Sequence, residues 1–158
     1  MSAPASLASG ALESLWIAQW MKQSSWLYPA IETLHLCGLG LLFGSVVMMD
    51  LRILGVGRQL DPGRLSGMGV PLAIGGVTLS AVTGLLLFVT SADTLIGSTL
   101  FLAKVSLIFL LLLNAASVRM RADEASAGSA SAGLRCQAAI SIAGWIAVIA
   151  MGRWLAYV

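Results

Sequence analysis

Residues 28–54 read YPAIETLHLCGLGLLFGSVVMMDLRIL, and this stretch decides the fold. Its middle, LCGLGLLFGSVVMM at 36–49, has no ionisable side chain other than Cys37 and no proline. A helix that crosses a bilayer needs about 20 predominantly apolar residues, and this run supplies them. The ionisable residues collect toward its two ends, with Glu32 and His35 early and Asp50 and Arg52 late.

Three further segments satisfy the same condition, over about 70–90, 98–118 and 137–158. The second of the four spans, at about 70–90, is opened by Pro71, which suits a first helical turn because the missing N–H has no partner there anyway. The third carries one internal charge, Lys104, and the last is interrupted late by Arg153. The composition agrees with four spans. Of 158 residues, 58% are hydrophobic and 10% charged, and the mean hydropathy is +0.92. Soluble domains carry about 25% charged residues, so a globule of this composition could not cover its surface in water. The net charge of +2, with no basic run, excludes a nucleic-acid-binding protein. The length is that of a single domain. The expected fold is therefore an all-α, four-transmembrane-helix bundle in a lipid bilayer, with residues 28–158 as the transmembrane domain.

Residues 1–27 form an extracytoplasmic segment on this reading. Met1 to Gly10 lack the basic region and short apolar run of a signal peptide. Leu12, Leu15, Trp16, Gln19 and Trp20 follow helical spacing, with Glu13, Lys22 and Gln23 polar. That pattern predicts a short amphipathic helix in the membrane interface, anchored by Trp16, Trp20 and Trp26.

Orientation follows from the basic residues. Arg52, Arg58 and Arg64 flank the first connection and Arg119, Arg121 and Arg135 the third, whereas residues 91–97 have neither Lys nor Arg and the N-terminal segment has only Lys22. Basic loops stay in the cytoplasm, so both termini are expected to be extracytoplasmic, in a multi-pass protein of the inner (cytoplasmic) membrane. The Ala/Ser/Gly tract at 122–133 reads as a flexible cytoplasmic linker. Cys37 and Cys136 fall at different depths, which predicts no disulfide between them.

Ionisable groups inside a bilayer cost about 2.5–3.5 kcal/mol each and usually face the bundle interior. Glu32 and His35 share a face near the outer end of the first span, Lys104 lies one to two turns into the third, and Arg153 one to two turns from the end of the fourth. All four are expected at similar depth in the outer half, level with Thr83 and Gly84, as the lining of a polar pocket. Set against this, Lys104 and Arg153 are also placed to snorkel to the interface, and a lone histidine in an apolar helix is more often a packing residue than a ligand.

His35 is the single histidine, and a neutral imidazole ligates haem iron or copper. Lys104 and Arg153 would pair with haem propionates. Copper is the weaker option. Cys37 points to a different face from His35, and Met48 and Met49 lie about 20 Å below it at 1.5 Å per residue. Asp50 at the inner face reads as an orientation lock paired with a loop arginine. Gly40 and Gly44 form a GxxxG motif of the kind that lets helices pack closely, within the bundle or against a second copy or partner subunit. No phosphate loop, GxSxG, HExxH or CxxC is present.

The segments Trp26-Leu-Tyr-Pro29, Glu32-Thr-Leu-His35, Gly44-Ser45 and Asp50-Leu51-Arg52-Ile53-Leu54-Gly55 resemble an uncharacterised bacterial four-helix membrane-domain family. So do Thr83-Gly84-Leu85, Phe101-Leu102-Ala103-Lys104 and Gly152-Arg153-Trp154-Leu155-Ala156-Tyr157. More distantly, the early histidine with a lysine opening the third span is similar to CopD-type copper-resistance domains and HemJ-type protoporphyrinogen oxidase. The latter resemblance implies haem b on His35 with Lys104 nearby; Asp50-Leu51-Arg52 stands where that family has leucine-proline-arginine. Three readings follow: a haem-b-binding, redox or electron-transfer protein; a copper-handling or small-solute transport protein; and a non-catalytic subunit or anchor.

Overall fold

The computed structural model describes residues 14–57, 59–121, 130–155 and 157. Among these, six helices account for the fold: α1 (Trp16–Gln23), α2 (Leu27–Leu54), α3 (Pro62–Thr90), α4 (Ala92–Leu95), α5 (Thr99–Met120) and α6 (Ala132–Trp154). Four of them, α2, α3, α5 and α6, are long and apolar enough to cross a membrane, and there is no strand among the described residues. The chain is an all-α bundle of membrane-spanning helices with a short helix before it.

Local chemistry sets the helix ends. Asp61 caps α3 by accepting from the backbone N–H groups of Gly63 and Arg64 at 3.3 and 3.2 Å, with Pro62 in the first turn. Pro71 is therefore inside α3 rather than at its start. It leaves the Gly67 carbonyl without its usual helical donor. Ser98 and Ser131 cap α5 and α6 through Phe101 N and Leu134 N. Of the expected linker, residues 122–129 lie outside the described residues, while Ala132 and Gly133 already belong to α6. Gly55 ends α2 with φ of 102°, a left-handed conformation that glycine adopts without a Cβ penalty.

At 1.5 Å per residue, the 28 residues of α2 extend about 42 Å, more than the ~30 Å hydrocarbon thickness, so this helix reaches into an interface or tilts. It packs most extensively on α3 and also on α6, and α6 packs on α5. The α2–α3 crossing is a glycine contact. A Cβ built on Gly76 would lie 2.5 Å from Leu42 N and 2.8 Å from Gly38 O, and one on Gly38 would lie 2.6 Å from Ser80 Oγ. Gly40 and Gly44 meet nothing within 4 Å, so the GxxxG motif faces away from the bundle. The core below this crossing joins Leu42 and Val46 of α2, Leu111 of α5, and Trp145 and Val148 of α6.

α1 lies across one end of the bundle, against α3 and α2. Ala18 and Met21 are its buried residues, with Thr90 Oγ1 3.5 Å from Met21 Sδ. Trp16, Trp20 and Trp26 are exposed, as interfacial anchors would be. The N-terminus of α2, the C-terminus of α3, the N-terminus of α5 and the C-terminus of α6 all meet at this α1 end. The arginines Arg52, Arg64, Arg119, Arg121 and Arg135 belong to the opposite, far end.

Candidate functional site: His35 and the polar groups at the α1 end

His35 is two turns into α2, half-buried, and turned toward α3. Its Nδ1 is 3.0 Å from the carbonyl oxygen of Ser80 and 3.1 Å from Thr83 Oγ1. A carbonyl only accepts, so Nδ1 carries the proton and donates. Thr83 commits its own hydroxyl hydrogen to the Leu79 carbonyl at 2.6 Å, leaving its oxygen free to share the imidazole N–H. When the ring is neutral, this fixes the tautomer whose Nε2 bears the lone pair. Nε2 makes no hydrogen bond among the described residues. An N–H to backbone carbonyl bond of this kind orients metal-ligating histidines.

Glycines make the room. A Cβ on Gly84 would lie 3.0 Å from His35 Cε1, and one on Gly152 would lie 2.8 Å from Lys104 Nζ. Lys104 of α5, partly buried, therefore extends its ammonium group against the backbone of α6. Lys104 and Glu32 are the charged groups close enough to act electrostatically on His35. One face of α2, the facing turn of α3, one lysine of α5 and one glycine of α6 thus contribute to a single polar region.

The other two expected members are exposed. Glu32 is exposed on the same face of α2. Arg153 is exposed at the end of α6, where its guanidinium donates to Tyr157 Oη at 2.6 Å and its Cζ lies 4.9 Å from the ring centroid. Arg153 stands in the last turn of α6, one turn before Tyr157. The groups that a side-chain inventory misses are the Ser80 carbonyl, a backbone acceptor, and the glycine faces at Gly84 and Gly152.

Chemically, this arrangement offers one imidazole nitrogen with a free lone pair and one ammonium group. Among the described residues no three of His, Cys, Asp and Glu gather as a metal cluster. Both cysteines are free and exposed.

The far end differs from its expected reading. Asp50 is buried and forms no ion pair among the described residues, of which Arg58 is not one. The Ser141 side chain lies near its carboxyl, and Oδ2 has no hydrogen-bond partner among the described residues. Arg52 turns to the following loop, where its Nε donates to the Leu60 carbonyl at 3.0 Å.

Comparison with protein-family models, with curated proteins and with solved structures finds no match to this chain.

Proposed function

We propose that this integral membrane protein binds haem b through His35 and serves a redox or electron-transfer role. The observation that carries the reading is the Nδ1–H bond to the Ser80 carbonyl, which in the neutral ring leaves the Nε2 lone pair available to a haem iron. Lys104 would steady an anionic propionate from α5. Exposed Arg153, engaged with Tyr157, is reserved for a propionate only if that contact opens. Haem supplies one-electron chemistry when bound. The residues of this chain ligate it, fix the tautomer and balance its charge. His35 is the single histidine, so a second histidine ligand would have to come from a second copy of the chain.

The far end collects the loop arginines, which supports placing it in the cytoplasm, with the α1 end and the His35 site outside. In a bacterium that is the periplasmic half of the inner membrane.

The test is the visible absorption spectrum of detergent-purified protein from cells well supplied with haem, oxidised and reduced. A Soret band and a reduced α-band, both lost in His35→Ala, are expected. A featureless spectrum in the wild-type protein contradicts the proposal.

A further inference from the structure

α3 and α5 are consecutive membrane-spanning helices, yet along most of their length their backbones hardly touch. They are joined at both ends instead. At the α1 end the rings of Phe88 and Phe101 stack, with centroids 5.3 Å apart and planes 10° from parallel. At the far end Arg119 Nη1 donates to Ser66 Oγ at 3.2 Å. Toward the far end, between α3 and α5 and reaching α2 and α6, lies a cavity of about 580 Å³. That volume is in the range of about 300–1,000 Å³ typical of small-molecule sites.

The walls are apolar, with Ala73 and Val77 on α3 and Leu112 and Ala116 on α5. The side where α3 and α5 stand apart faces hydrocarbon once the bundle is in a bilayer. On the opposite side the lining includes Asp50 of α2 with Ser141 and Trp145 of α6. These three are 5%, 1% and 2% exposed. Among the described residues, Asp50 Oδ2 and Trp145 Nε1 both lack a hydrogen-bond partner. A carboxyl buried inside a membrane helix without a cation is costly, and such groups are kept for a ligand or a proton more often than for packing.

Charge decides what kind of occupant fits. Arg52 and Arg119 also line the cavity, which disfavours a cation. Asp50 at depth disfavours an anion. A neutral molecule with an apolar body and a hydroxyl donor meets neither objection and supplies a partner for the carboxyl. A phenolic hydroxyl is the stronger donor of that class. We infer that this cavity binds a neutral lipophile with an aromatic hydroxyl head, of the phenol or quinol kind, which enters from the bilayer between α3 and α5 and donates to Asp50. The site is separate from His35 and does not depend on haem.

Trp145 provides the readout. The protein with Trp16, Trp20, Trp26 and Trp154 all changed to Phe keeps Trp145 as its sole tryptophan. In phosphatidylcholine nanodiscs it is titrated with a ring-brominated 4-decylphenol and with the methyl ether of the same compound, bromine being a contact quencher of indole emission. The phenol is expected to quench saturably. The ether, which has no donor, and the Asp50→Ala variant are each expected to bind at least about tenfold more weakly, the effect of losing a hydrogen bond to a carboxylate. Ala73→Phe, which fills the cavity while leaving Asp50 in place, should abolish saturable quenching. Three results overturn the inference: quenching that rises linearly and equally in the parent and Ala73→Phe, an ether that binds as tightly as the phenol, or an Asp50→Ala protein with unchanged affinity. If Asp50→Ala fails to fold, the ether and Ala73→Phe comparisons still decide the matter.

Discussion

Gly76→Ala should break the closest helix contact among the described residues. A Cβ there would stand 2.5 Å from Leu42 N, 2.8 Å from Gly38 O and 3.0 Å from Leu42 Cα. All three are backbone atoms, so no rotamer change relieves the clash, and α2 and α3 must separate by roughly 1 Å to restore ordinary contact distances. Overpacking of this kind costs about 1–3 kcal/mol, and the upper part of the range applies when backbone has to move. The higher helix propensity of alanine returns up to about 1 kcal/mol. Gly40→Ala is the internal control, because nothing lies within 4 Å of that position and only the propensity gain remains. The two variants should therefore differ by about 2–3 kcal/mol in unfolding free energy, with Gly76→Ala the less stable. Equilibrium unfolding by SDS in mixed micelles, followed by far-UV circular dichroism, measures the difference. The same separation would draw the Ser80 carbonyl away from His35, since Ser80 is one turn from Gly76 on α3. If Gly76→Ala is as stable as Gly40→Ala, the glycine crossing is not the contact that holds α2 to α3.

Other contacts give further expectations. Gln137 ties the far ends of α5 and α6, with Nε2 donating to Ser117 Oγ at 3.1 Å and Oε1 accepting from Arg121 at 3.1 Å. Interhelical hydrogen bonds in membranes average about 0.6 kcal/mol, so Gln137→Leu should cost about 1 kcal/mol in the same unfolding assay. The Phe88–Phe101 stack should show a coupling of about 0.5–1.5 kcal/mol in a double-mutant cycle to alanine, and a coupling near zero would mean that the stack does not join α3 to α5.

The four spans are legible in the sequence because hydropathy over about 20 residues is a strong signal, and the level of His35 relative to Thr83 follows from counting turns. Helix ends are less legible. The Asp61-Pro62 pair is a better start signal than Pro71, yet it lies beyond the apolar run that defines the span. Direction around a helix is harder still, because a nearly uniform apolar surface carries no face to read. That is why Gly40 and Gly44 draw the eye as a motif while Gly38 and Gly76 make the contact. It is also why Arg153 is expected beside His35, whereas its guanidinium donates to Tyr157. Asp50, followed by Arg52 and Arg58, reads as the partner of a loop arginine, but it is buried and forms no ion pair among the described residues. The cavity beside it arises from how the helices are ordered in space, with α2 and α6 between α3 and α5, and no local pattern encodes that order.

The central claim concerns one nitrogen atom, Nε2 of His35, and ligand rescue tests it most directly. His35→Gly removes the imidazole and leaves its space, so the visible spectrum of haem-loaded variant should lose the wild-type Soret position and reduced α-band. Added imidazole is expected to restore both, with saturation, because the pocket beside Ser80, Thr83 and Gly84 still accepts the ring. A His35→Gly protein that binds haem with an unchanged spectrum, before any imidazole is added, would contradict the account.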